Sequence, residues 1–140
     1  MTIPGSVRQR VEEAANYQCG YCRMPAQFVY APMQIDHIVP SSKGGTDAEN
    51  NLWLACPRCN NFKGDQAEAI DPDTGDRVGL FNPRLQHWSD HFVWGGDEAT
   101  LIIGLTPTGR ATAIVLQLNN EKSVRFRRKL VSVGWHPPGD

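Results

Sequence analysis

Apolar positions recur along this chain with two periods, and the change of period marks its elements. Near the N-terminus Val7, Val11 and Ala14 or Ala15 fall three or four apart, which predicts an amphipathic helix over 6–16 with Ser6 as its N-cap. Residues 33–39, Met-Gln-Ile-Asp-His-Ile-Val, are β-prone and end at Pro40. The turn Ser41-Ser42-Lys43-Gly44-Gly45 follows, and residues 50–55 return as a second short strand. Asn60-Asn61-Phe62-Lys63-Gly64 suits the start of a short helix, and a loop rich in Asp, Pro and Gly spans 71–76. Residues 91–94 and 100–105 read as two strands joined through Gly95-Gly96-Asp97. Thr106 and Pro107 form an N-cap and N1 pair that opens a helix to about Leu118. A last helix over about 121–133 ends at Gly134. It carries an apolar stripe of Phe126, Leu130 and Val133, with Arg125, Arg128 and Lys129 on another face and Arg127 at the edge of that face. Such a basic face can meet phosphates; the plainer reading is a solvated helix surface.

Composition narrows the class. A chain of 140 residues is the size of one compact domain with a modest core. With 40% hydrophobic and 21% charged residues, the composition suggests neither global disorder nor a membrane protein. No apolar run approaches the ~18 residues of a membrane span, and the N-terminus lacks the apolar centre of a secretory signal. A cytoplasmic address, with no membrane partner, is therefore the expectation. The formal net charge of −1 means that any nucleic-acid binding must rest on local patches.

The four cysteines change the picture most. They fall into two Cys-x-x-Cys pairs, Cys19 with Cys22 and Cys56 with Cys59. In a reducing compartment such pairs are more often metal ligands than disulfides. Two tight turns, each offering two thiolates, complete the tetrahedral shell of one zinc ion. Four thiolates leave no open coordination position, so this Zn2+ is structural. The long interval between the pairs implies an inserted substructure, and that insert contains Asp36-His37 on a predicted strand.

The run Cys19-Gly-Tyr-Cys22, then Ile35-Asp-His-Ile-Val-Pro40 with Gly44-Gly45, then Asn50-Asn-Leu-Trp-Leu-Ala-Cys-Pro-Arg-Cys-Asn-Asn-Phe-Lys-Gly64, resembles an HNH endonuclease of the zinc-knuckle kind. The resemblance covers roughly 7–65. A later run, Phe81-Asn-Pro-Arg84, Trp88, His91-Phe92 and Gly104 to Thr112, resembles an extension found in some bacterial HNH proteins. The implied fold is α+β: a ββα-metal (His-Me finger) core with a four-cysteine zinc site in 1–65. A C-terminal extension in 66–140, a β-hairpin and two helices, is expected to pack on that core.

The resemblance also implies roles. His37 becomes the general base, since an imidazole with an ordinary pKa near ~6.5 can take a proton from water. Asp36 and Asn60 become the protein ligands of one divalent cation, Mg2+ or Mn2+, which suits hard oxygen donors. Asn51 braces the loop and orients the base, and Lys63 neighbours a substrate phosphate. The family's last histidine is replaced here by Asn60, whose amide oxygen can still ligate such a cation; Asn61 is its competitor, one residue out of register. The implied activity is phosphodiester hydrolysis in nucleic acid, DNA first. Two other readings compete: a zinc-binding nucleic-acid recognition module without catalysis, and a redox protein using the cysteine pairs.

Overall fold

Pro4 sets the start of the first helix. Its extended backbone (φ −58°, ψ 145°) presents its carbonyl to the Arg8 N–H at 3.0 Å, and α1 runs Gly5–Ala14. Ser6 therefore lies inside the first turn and caps nothing, because the turn begins one residue before it. In the computed structural model, which describes residues 3–139, the chain divides into two compact units. One runs to Ala67 and takes back Asn82–Leu85; the other comprises Glu68–Phe81 and the chain from Gln86 onward.

In the first unit α1 buries Val11 and packs against β2 (Leu52–Ala55). That strand pairs antiparallel with β1 (Gln34–His37), with Ile35 opposite Leu54, Asp36 opposite Trp53 and His37 opposite Leu52. Leu52 and Leu54 are fully buried, worth about 1.5–3 kcal/mol each, and they tie the hairpin to α1. The helix α2 (Pro57–Lys63) follows β2 directly. It starts earlier than the Asn60 the sequence suggests, because Pro57 occupies its first turn and the Cys56 sulfur accepts the Cys59 N–H at 3.4 Å.

The connection between the strands is held by a close approach. Gly44 closes a short 3-10 turn with φ 90°, and a Cβ on Gly45 would collide with the Val39 carbonyl oxygen. The second member of the Gly-Gly pair is thus required by space rather than by its dihedral angles. Asn82–Leu85 belongs to this unit through Arg84, which donates from Nε (3.3 Å) and Nη2 (3.0 Å) to the Leu52 carbonyl. Its guanidinium also lies 5.0 Å from the centre of the Trp53 ring.

The second unit opens with a hairpin that the loop-like composition hid: β3 (Glu68–Ile70) and β4 (Arg77–Gly79) flank the 71–76 turn. Asp71 organises that turn, accepting from the Asp73 and Thr74 amides while Arg110 binds both its carboxylate oxygens at 2.9 Å. A short helix α3 (Trp88–His91) leads into β5 (Phe92–Gly95), which pairs with β6 (Leu101–Gly104). Thr106 caps α4 (Pro107–Val115) by accepting the Gly109 N–H at 3.0 Å, as the Thr-Pro pair predicts. The last helix, α5 (Glu121–Ser132), is capped by Asn120.

Arg127 is not at the edge of a basic face. It is buried, donating to the Thr100 and Leu118 carbonyls at 2.9 and 2.7 Å, because its position on α5 turns inward with Val124 and Leu130. The architecture is mixed α+β, and among the described residues no helix is long and apolar enough to cross a membrane.

Candidate functional site

The four cysteines come first because the segments that carry them also carry partners of the site. The first turn lies between α1 and β1, the second at the junction of β2 and α2. All four cysteines are buried, and their sulfurs lie within 4.8 Å of one another. Cys22 and Cys56 are 3.8 Å apart, far beyond the about 2.05 Å of a disulfide. That distance matches the edge of a tetrahedron with a zinc–sulfur bond of about 2.3 Å, which is about 3.8 Å. Burial pushes the Cys19 thiol well up. The other three thiols, hydrogen-bonding to Cys56, push it far down. A buried cluster of four sulfurs without disulfide geometry fits a tetrahedral thiophilic cation.

Each knuckle then sends one side chain to Asp36, which is 3% exposed on β1. Tyr21, between the first two cysteines, donates its hydroxyl to Asp36 Oδ2 at 2.6 Å. Lys63, four residues past Cys59, donates from Nζ to Asp36 Oδ1 at 3.1 Å and to the His37 carbonyl at 2.9 Å. Burial raises the Asp36 carboxyl above its ordinary value, opposed by the Lys63 charge and the Tyr21 hydrogen bond. Burial, and then the Asp36 charge, lifts the Tyr21 phenol well above its usual value. Lys63 is only 1% exposed, so its ammonium faces this carboxylate and not solvent, where a phosphate neighbour would point it.

His37 diverges from Asp36, as neighbours on a strand do. Its Nε2 is 2.7 Å from Asp47 Oδ1, and both side chains are about a third exposed (28% and 31%). Asn51 binds the backbone of the connecting segment three times: its Oδ1 accepts the Val39 N–H at 2.9 Å, and its Nδ2 donates to the Val39 and Thr46 carbonyls at 3.0 and 2.8 Å. Asn60, on α2, donates from Nδ2 to Gln34 Oε1 at 2.6 Å, which leaves its amide oxygen as the atom able to ligate a cation. Asp36, His37 and Asn60 line one cleft of ≈ 290 Å³, together with Pro40, Ser41 and Asp65 among others. Asn51 is not among its lining residues; it acts on the loop behind it.

Tyr21, Gln34 and Asp47 carry no signal in the sequence. Tyr21 sits between the two cysteines of a Cys-x-x-Cys turn, and Asp47 follows a Gly-Gly turn whose composition reads as plain loop. Only the fold brings Tyr21 within 2.6 Å of Asp36, 15 residues away in sequence. His91 Nδ1 is 2.6 Å from the Thr106 hydroxyl, and among the described residues the group of side chains placed to hold a metal is the four cysteines.

Comparison with known proteins bears on the segment that carries these residues. The family model described as HNH endonuclease matches residues 19–66. Over 64 residues the chain is 41% identical to the CRISPR-associated endonuclease Cas9 of Corynebacterium diphtheriae. The aligned stretch is 45% of this chain and 6% of that relative, so the chain spans a small fraction of the relative's length. No solved structure matches.

Proposed function

Residues 19–66 are an HNH endonuclease family domain, and from that premise we propose that the chain hydrolyses phosphodiester bonds in nucleic acid, DNA in first place, at the cleft between β1 and α2. The observation that carries the reading is the convergence of Asp36, His37 and Asn60 on one open cleft within the matched segment. Their arrangement, a short antiparallel hairpin followed by a helix, is read as the ββα-metal core.

In this reading a hard divalent cation, Mg2+ or Mn2+, would be held by the Asp36 carboxylate and the Asn60 amide oxygen. Two oxygen donors beside an open face fit such an ion, which keeps several waters and takes phosphate oxygens as further ligands. When bound, it supplies charge stabilisation to the phosphate and to the departing oxygen. His37 takes one proton from a water molecule as the water oxygen bonds to phosphorus. The bond from phosphorus to the 3′ oxygen breaks, that oxygen gains a proton from solvent, and the products are a 5′-phosphate and a 3′-hydroxyl. Asn51 keeps the 39–46 segment in place, and Lys63 with Tyr21 holds the Asp36 carboxylate.

The test is cleavage of plasmid DNA by wild type and His37→Ala in metal-free buffer, with Mg2+ and with Mn2+, alongside zinc content. Metal-dependent cleavage that disappears in His37→Ala at unchanged zinc content is expected. One observation favours a second reading, a nucleic-acid-binding zinc module without catalysis: both Asp36 oxygens already accept hydrogen bonds. Binding of DNA or RNA without cleavage under any metal condition would establish that reading instead.

A further inference from the structure

We infer that Asp47 is a positioning residue for His37, fixing which ring nitrogen carries hydrogen and leaving Nδ1 to take the proton from water; the inference rests on His37 being the base. A carboxylate can only accept hydrogen bonds, so the 2.7 Å contact with Asp47 Oδ1 requires the hydrogen on Nε2. In the neutral ring the lone pair then lies on Nδ1. The ring belongs to a residue that lines the cleft, and its second nitrogen is therefore the one able to act there.

Asp47 is held as a fixed partner should be. On its N-terminal side the Thr46 carbonyl is bound by Asn51 Nδ2 at 2.8 Å, and Gly45 is pressed against Val39 with no room for a side chain. On its C-terminal side the Ala48 amide reaches the Thr46 hydroxyl at 3.3 Å, and the Ala48 carbonyl accepts the Asn51 N–H at 2.8 Å. The segment carrying Asp47 is thus anchored to Val39, just past β1, at one end and to Asn51, just before β2, at the other. Asn51, in this arrangement, orients the base through Asp47 and does not touch it.

The competing account is a surface ion pair with no effect on the chemistry, since partly exposed pairs are worth little. Kinetics and NMR on the full chain separate the two. In wild type at mildly alkaline pH, long-range proton–nitrogen spectra should show His37 hydrogen on Nε2 and a bare Nδ1. In Asp47→Ala that preference should weaken. kcat should fall at least about tenfold, part of the roughly 10²–10⁴ a general base contributes, with KM, zinc content and melting temperature within error. A wild-type spectrum with the hydrogen on Nδ1 overturns the inference. So does an Asp47→Ala protein with wild-type kcat, or one whose loss of kcat merely follows a loss of folded protein. If wild type cleaves no nucleic acid at all, the nuclease reading falls, and the inference falls with it whatever the ring spectrum shows.

Discussion

Replacing Lys63 by Met decides between the role the sequence suggests for this residue and the one its surroundings describe. The stem of Met fills much the same space as the lysine stem, so the change removes charge with little loss of packing. What is lost is the bond to Asp36 Oδ1 at 3.1 Å and that to the His37 carbonyl at 2.9 Å, between groups 1% and 3% exposed. Breaking one side of a buried ion pair costs about 3–5 kcal/mol, because the remaining charge stays desolvated. Tyr21 still holds Asp36 Oδ2, so the lower end, about 3 kcal/mol, is expected. Denaturant unfolding of the zinc-loaded protein, followed by tryptophan fluorescence, measures it. The loss should also depend on pH. Burial already raises the Asp36 carboxyl, so keeping it ionised costs stability as pH rises through its folded value. Without Lys63 the carboxyl rises further. The deficit of Lys63→Met should therefore be largest above neutral pH and shrink on acidification. A lysine pointing at phosphates would behave otherwise, with stability unchanged within about 0.5 kcal/mol and only nucleic-acid affinity and its salt dependence reduced. A stability loss below about 1 kcal/mol would refute the buried-pair account, which requires about 3.

Four further outcomes follow from other parts of the molecule. Gly45→Ala should destabilise the first unit by about 1–3 kcal/mol in denaturant unfolding, since the added carbon meets the Val39 carbonyl and, at 2.9 Å, Asn51 Nδ2. Cys56→Ser should lose the bound metal and the folded centre together, read by metal analysis and circular dichroism, because metal binding and folding are coupled in such sites. Cobalt(II) exchanged into the intact protein should give the absorption of a tetrahedral thiolate complex. Arg110 holds the Asp71 carboxyl well below the usual range, so its stabilisation is full above about pH 4 and is lost as pH falls toward the folded value. Asp71→Asn should flatten the acid limb of a melting-temperature profile while Asp73→Asn, at an exposed partner, leaves it steep.

Much of the fold was legible where the signal is local. The paired cysteines, the Gly-Gly turn, the β1 and β2 segments and the Thr106-Pro107 cap each depend on residues within a few positions of one another. The β3 and β4 hairpin was not legible, because three-residue strands carry too little alternation to stand out from an Asp- and Gly-rich turn. The start of α2 lies earlier than the asparagine pair suggests, because Pro57 opens the helix and the Cys56 sulfur takes the place of an oxygen cap.

By itself, then, the sequence carried the two cysteine pairs and the likeness of the 19–66 segment to HNH endonucleases, and it singled out Asp36 and His37 as candidates for the chemistry. Tertiary structure decided the partners: Tyr21 and Lys63 on Asp36, Asp47 on His37, and Arg127 turned into the interior. The reason is physical. A ligand spacing or a cap is written in adjacent residues. Whether an ammonium faces a carboxylate or solvent depends on which distant segments a shared core and a cysteine cluster draw together.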